Sequence, residues 1–393
     1  MNYEQVLSDR ALAARTSPID ELFKTITQKP DIISFAAGAP DTSLLPVEML
    51  DSLNKRAVER YGRSVLQYGL TQGFAPLRQA VLPLLTKRGI RCTAADVHIG
   101  TGGCGVLNNI CMALLNKGDT VLVEAPTYSP AVKDFLAYET NVVDVAMDNE
   151  GMSPPALEQA LKRQKVKLIY LLPTFQNPTG RTMSPTRREL AKKYRTLIIE
   201  DDVYYDLRYQ GQPIPALYSF APENTLYFSS LSKIFAPAAR VGIAVMPAAI
   251  LEKVLILKQG IDMQTSSYTQ ALATEFLNSD YSAEHLRRIN QAYGDKLRIM
   301  CEALETHLSK KFIWSRPEGG MFVWITGPSD FDADALLPKA IEAGVAFVPG
   351  SAFYARAKTG RNTLRLSFAN PKQELIAAGI ETLAKLCNAA DHG

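Results

Sequence analysis

Lys233 sits just past three hydroxyl residues, Ser229, Ser230 and Ser232, and seven residues ahead of Arg240. Before them runs Leu226-Tyr227-Phe228, an apolar stretch of the kind that forms a buried strand. A lysine at such a strand end can form a Schiff base with a carbonyl cofactor, and serines with an arginine suit a phosphate. Alone it reads as a solvated loop lysine, as most lysines are. Three other strand-like runs also end in residues suited to chemistry. After 120–123 comes Glu-Ala-Pro-Thr-Tyr128, an aromatic that can stack on a flat ring. After 168–172 comes Pro-Thr-Phe-Gln-Asn177-Pro-Thr-Gly180, an amide on a turn. After 197–199 comes Glu200-Asp201-Asp202-Val203-Tyr204, an acid and a phenol. Each has a plain structural use: a turn for Asn177, a helix cap for Asp201, core packing for Tyr128 and Tyr204. Their recurrence after successive strands favours one shared site.

The elements that must position them follow an alternating pattern. Apolar runs at 97–99, 120–123, 142–145, 167–172, 196–199, 226–228 and 241–245 are separated by helical stretches such as 106–115 and 187–194. That alternation predicts an α/β architecture with a largely parallel seven-stranded sheet covered on both faces. Ligands bind such a sheet at the carboxyl ends of its strands. Upstream, helices are expected at 19–27, after a Ser17-Pro18 break, and at 47–61 and 75–88, the last kinked by Pro83. Ala36-Ala37-Gly38-Ala39-Pro40 marks a turn where backbone can approach something closely. Beyond residue 248 the chain turns helical, with a long amphipathic stretch at 283–308. Short strands at 321–325, 345–348 and 363–368 then suggest a smaller α+β domain. The expected organisation is an N-terminal arm (1–45) packed on the small domain, a large domain (46–282) and a small domain (283–393).

Composition excludes other classes. The 393 residues are 47% apolar and 21% charged, which suits a globular protein of two domains. A formal charge of +3 is too small to suggest nucleic acid, and no apolar run approaches bilayer length. The N-terminus lacks the uninterrupted apolar core of a secretory signal. Five cysteines with no CxxC spacing read as reduced thiols of a cytoplasmic protein, with no metal site.

Together these motifs resemble the fold-type I pyridoxal-phosphate (PLP) aminotransferases of class I/II, and in particular the branch with kynurenine and 2-aminoadipate aminotransferases. The matching segments run from Ser34 to Phe368. The resemblance implies transfer of an amino group from an L-α-amino acid to a 2-oxo acid by a ping-pong route. It implies that Lys233 carries the cofactor and moves the substrate proton, while Asp201 keeps the pyridine nitrogen protonated. Asn177 and Tyr204 would bond the cofactor's phenolate oxygen, and Tyr128 would stack on its ring. Ser230, Ser232, Arg240 and the backbone amides of Gly103 and Cys104 would hold the phosphate. Tyr68 would reach that phosphate from a second subunit, which implies a homodimer with shared sites. Arg365, in Leu-Arg-Leu-Ser-Phe, matches the clamp on the substrate carboxylate, and Gly38 would line the substrate pocket.

Two departures from the family pattern matter. Gly103-Cys104 stands where Ser-Gln is usual, which keeps the backbone donors and puts a reactive thiol near the cofactor. Asp20 stands where relatives for acidic substrates carry arginine. It would repel a distal carboxylate and favour a neutral or cationic side chain, unless it only caps its helix. Gly100-Thr-Gly-Gly-Cys-Gly105, with Asp119 or Glu124 downstream, formally fits a dinucleotide fingerprint. A dehydrogenase would leave Lys233, Asn177 and Asp201 without a role. A PLP-binding regulator would need an N-terminal DNA module, for which the opening residues leave no room. Decarboxylases, lyases, racemases and oxidases share the same lysine and acid, and Arg365 favours Cα–H cleavage over them.

Overall fold

The computed structural model describes residues 3–13, 16, 18–356 and 359–390. Its strands are β1 (Ile33–Ser34), β2 (Val97–Thr101), β3 (Thr120–Ala125), β4 (Asn141–Asp148), β5 (Gly151–Met152), β6 (Leu168–Leu171) and β7 (Leu197–Asp201). They continue as β8 (Thr225–Ser230), β9 (Val241–Val245), β10 (Ile313–Trp314), β11 (Phe322–Thr326), β12 (Val345–Ala346), β13 (Val348–Pro349) and β14 (Thr363–Ser367). The principal sheet has the order β2-β9-β8-β7-β6-β3-β4-β5. Its core, β8-β7-β6-β3-β4, is parallel throughout. β9 runs against both β8 and β2, and the two-residue β5 adds an antiparallel edge to the seven expected strands.

The continuous apolar runs arise because both faces are covered. Along β3, Val121 and Val123 pack on one side and Leu122 on the other; along β6, Leu168 and Tyr170 oppose Ile169 and Leu171. That is the period of two a pleated strand imposes. Each fully buried aliphatic side chain stabilises the layers by about 1.5–3 kcal/mol.

A second, antiparallel sheet has the order β10-β11-β14-β13. The helices Ala333–Glu342 and Gln373–Ala390 pack together beside it, and Asp280–His307 packs on Gln373–Ala390. The N-terminal segment lies against this assembly. β1 pairs with β12, the Phe35 N–H donates to Ala346 O at 2.8 Å, and the Ser367 N–H donates to Phe35 O at 2.7 Å. Helix Pro18–Thr27 sets Leu22 against Trp324, Val348 and Phe353. Ser17, of the expected break, lies outside the described residues.

Among the elements that differ from expectation, three lie close to the site or the sheet that carries it. The helix expected at 75–88 is two helices, Ala75–Ala80 and Leu82–Lys87, because Pro83 has no N–H to continue the ladder. The strand expected at 226–228 runs on to Ser230, since Ser229 donates to Asp202 O at 2.9 Å and Ser230 to Val241 O at 3.1 Å. Satisfied hydroxyls can stay in a buried strand. The helix expected from 106 begins at Gly102 instead.

Candidate active site

The carboxyl ends of β3, β6, β7 and β8 open onto a cavity of about 650 Å³. Its wall includes Gly38, Gly103, Cys104, Tyr128, Asn177, Asp201, Tyr204, Ser230, Ser232, Lys233, Arg240 and Arg365, with Asp20 at the same cavity. Residues separated by up to 345 positions in the chain therefore share one space (365 minus 20). Tyr68 is the exception. It is 76% exposed on the outer surface of the single chain.

Lys233 ends a short 3₁₀ turn, Leu231–Lys233, that follows β8. Its Nζ donates to Gly38 O at 2.8 Å. Burial lowers the amine to about 8, with the positive charges of Arg365 and Arg240 contributing. About a tenth of such an amine is uncharged at pH 7. Asp201 ends β7 at 4% exposure, and its Oδ2 accepts the Tyr170 hydroxyl at 2.7 Å. Its Oδ1 is buried with no hydrogen-bond partner. Burial pushes the acid up to about 7, against the lowering effect of Tyr170.

The Asn177 turn is held from beneath. Fully buried Arg188 donates to Pro173 O at 2.8 Å, to Thr174 Oγ1 at 3.0 Å and to Met183 O at 3.2 Å. Gln176 Oε1 accepts from Thr179 N–H and Oγ1 at 3.0 and 2.6 Å. Gly180 has φ +68°, and a Cβ there would stand 2.5 Å from Phe322 O. On this turn Asn177 Oδ1 accepts from Arg365 at 2.8 Å, and its amide lies 3.5 Å from the Tyr204 hydroxyl.

Arg365 is fixed by its register, opposite Trp324 on one side and Val348 on the other. Its second terminal nitrogen donates to Ala36 O at 2.5 Å, and its Nε–H is buried without a partner. The guanidinium lies 4.3 Å from the Phe322 ring centre and 4.8 Å from that of Phe353. Burial lowers it to about 10, still cationic at neutral pH.

At the opposite end, helix Gly102–Leu114 starts without a side-chain cap, so its first amides are open. Ser230 and Ser232 hydroxyls lie 2.8 Å apart beside it. Gly102 has φ +72°, and a Cβ there would meet the Arg240 guanidinium at 2.3 Å. The glycines of the apparent dinucleotide fingerprint instead let Arg240 lie across the helix start. Cys104 Sγ is 3.9 Å from the Tyr128 hydroxyl. Desolvation raises its thiol, which favours the protonated form in the cofactor-free chain.

The profile of the family Aminotransferase class I and II matches residues 30–383. The chain belongs to this family. It is 37% identical to an aromatic-amino-acid aminotransferase of Thermococcus litoralis, over 98% of this chain and 94% of that one. A kynurenine aminotransferase of Pyrococcus horikoshii, solved with PMP, superposes at a TM-score of 0.93 with 38% identity, covering 99% and 98% of the two chains. An α-aminoadipate aminotransferase of Thermus thermophilus, complexed with N-(5'-phosphopyridoxyl)-L-leucine, gives 0.91 with 33% identity over 100% of both. The protein is a fold-type I, PLP-dependent aminotransferase. Its cavity fits the cofactor on its own terms. An orphan carboxylate oxygen suits a protonated ring nitrogen, an uncapped helix start with serines and an arginine suits a phosphate, and a weakly basic lysine suits an aldehyde. No helix among the described residues is long and apolar enough to cross a membrane.

Several residues at the site carry no sequence signal. Tyr170 is an ordinary position in an apolar strand, and Phe322 and Phe353 are ordinary core aromatics. Lys133 pairs with Asp20 at 2.7 Å across 113 positions.

Proposed function

We propose that this cavity is the active site, where an amino group passes in two half-reactions from an L-α-amino acid to a 2-oxo acid. One observation carries the reading: a weakly basic amine, an orphan buried carboxylate oxygen and a buried guanidinium face one cavity. When bound, PLP supplies an electron-withdrawing ring that stabilises charge left at the substrate Cα. Asp201 would hold its ring nitrogen, Asn177 and Tyr204 its phenolic oxygen, and Tyr128 its face. Ser230, Ser232, Arg240 and the amides of Gly103 and Cys104 would hold the phosphate. Lys233 would tether the cofactor, then take the proton from Cα and return it as general base and acid. Arg365 keeps its Nε–H and one hydrogen on each terminal nitrogen free, enough for two parallel bonds to the α-carboxylate.

In the cofactor-free protein, covalent capture of PLP is expected to speed up as pH rises through about 8 and then level, because only the uncharged amine attacks. Stopped-flow absorbance checks this; a rate flat from pH 6 to 9 would count against Lys233 as the nucleophile.

The remaining assignments concern substrate, assembly and place. Ile19, Asp20 and Phe23 line the cavity with Gly38, which suits a neutral or cationic donor side chain. Lys133 compensates part of the Asp20 charge. Asp20→Arg is expected to raise the kcat/KM ratio of an acidic over a neutral donor by about tenfold. A donor panel read by keto-acid release measures it, and an unmoved ratio returns Asp20 to helix capping. Release of CO2 or ammonia in that panel would overturn amino transfer itself. Two copies would pair so that Tyr68 completes the partner's phosphate end. Leu66, Tyr68 and Leu70 are 82%, 76% and 67% exposed in the single chain. Ser267 ties this segment, through Gln67 O, to the strap whose Asp262 and Thr265 hold Thr101 at the phosphate helix. Residues 46–282 would form the cofactor domain and 283–393 the smaller one, with 1–45 as an arm on it. The five unpaired cysteines support a cytoplasmic location.

A further inference from the structure

Asp201 has two oxygens in unequal settings. Oδ2 accepts from the Tyr170 hydroxyl at 2.7 Å, while Oδ1 is buried with no hydrogen-bond partner, on a residue that lines the cavity. The terminal torsion of an aspartate is broad and nearly two-fold, so a lone carboxylate would have no fixed presentation. Tyr170 removes that freedom. It lies on β6, the strand next to β7, with its backbone opposite Ile199. Its side chain is fully buried, and its ring meets Phe135 edge-on at 5.4 Å, so the hydroxyl has little room to move.

We propose that Tyr170 is the positioning residue of Asp201, anchoring Oδ2 so that Oδ1 is presented to the cavity as an ionised acceptor. This rests on the assignment of Asp201 to the cofactor's ring nitrogen. The anchor matters because of the surroundings. Burial drives Asp201 toward neutrality, to about 7, while the Tyr170 bond favours the ionised form. The other titratable groups facing it are Cys104, Tyr128, Asp202, Tyr204 and Lys233, and Lys233 is the one cation among them. With the acid balanced near neutral pH, the Tyr170 bond, the largest of the lowering effects ahead of the Val203 backbone N–H and the Lys233 charge, shifts that balance.

Tyr170→Phe keeps the ring and removes the donor. In cofactor-free protein, the Asp201 carboxyl titration, followed by carbon-13 NMR, is expected to move up by about one pH unit. The variant's Kd for PLP relative to wild type should rise about fivefold at pH 7 and recover toward one at pH 9, where the acid is ionised anyway. The KM of the amino donor should stay within about twofold of wild type, since Arg365 is untouched. Added to Asp201→Asn, the substitution should cost little more. An unmoved titration, an equal loss at both pH values, or full additivity with Asp201→Asn would each overturn the proposal, as each marks a purely structural tyrosine. Should Tyr170→Phe not fold, 3-fluorotyrosine at position 170, a stronger donor, should move the titration down, and no movement would overturn it equally. Failure of the wild-type protein to take up PLP would sink the cofactor assignment; normal uptake with an indifferent variant would sink this inference alone.

Discussion

Lys233→Ala is expected to lower amino transfer by about 10⁴-fold or more, because on the proposed reading one side chain would serve as covalent tether and as acid–base group. Lys233 is the lysine among the described residues lining the cavity; Arg240 and Arg365 are the other cations there, and neither can deprotonate to replace it. The fold should survive. The substitution removes a half-buried amine whose hydrogen bond goes to Gly38 O, a carbonyl on an exposed-edge turn beside the cavity. Thermal unfolding of the cofactor-free variant should therefore shift little, which separates lost chemistry from lost structure. A small primary amine added in solution should restore part of the proton transfer. Steady turnover by the variant without added amine would contradict the assignment.

Arg365→Ala should act on a different quantity. The expected change is a fall of about 100-fold in kcat/KM, mostly through KM, as the proposed buried, charge-assisted clamp on the carboxylate would be lost. Cofactor affinity should change far less. Some change is expected because Asn177 Oδ1 loses the donor that orients it, and Asn177 also approaches Tyr204. Stability should fall by about 1–3 kcal/mol, since Ala36 O is left unpaired and a gap opens between Phe322 and Phe353. Arg365→Lys should not rescue KM, because a point ammonium cannot keep Asn177, Ala36 and two carboxylate oxygens together. Steady-state kinetics over a donor panel provide the check, and an unchanged KM would remove Arg365 from the substrate site.

Much of the site was legible because the sheet prints itself. Strands buried on both faces appear as unbroken apolar runs, and Tyr128, Asn177, Asp201 and Lys233 stand directly after four of them. What was not legible depends on pairing across distance or on which face a residue takes. Nothing in Leu168–Leu171 marks Tyr170 as the partner of Asp201, since all four residues are buried alike. The reversed direction of β9 is likewise invisible, because an apolar five-residue run reads the same in either sense. Asp20 read as a determinant of substrate charge or a helix cap, and only the fold brings Lys133 to it. Asp201 read as an acid after a strand, and nothing in its sequence neighbourhood reports that burial pushes it up to about 7. Sequence reports residue types at strand ends well; it reports desolvation poorly.

The most direct test of the account is peptide mapping by mass spectrometry after borohydride reduction of the protein loaded with PLP. The account predicts one phosphopyridoxyl group per chain, on the peptide containing Lys233. A label on any other lysine, or none on a protein that still transfers amino groups, would contradict it.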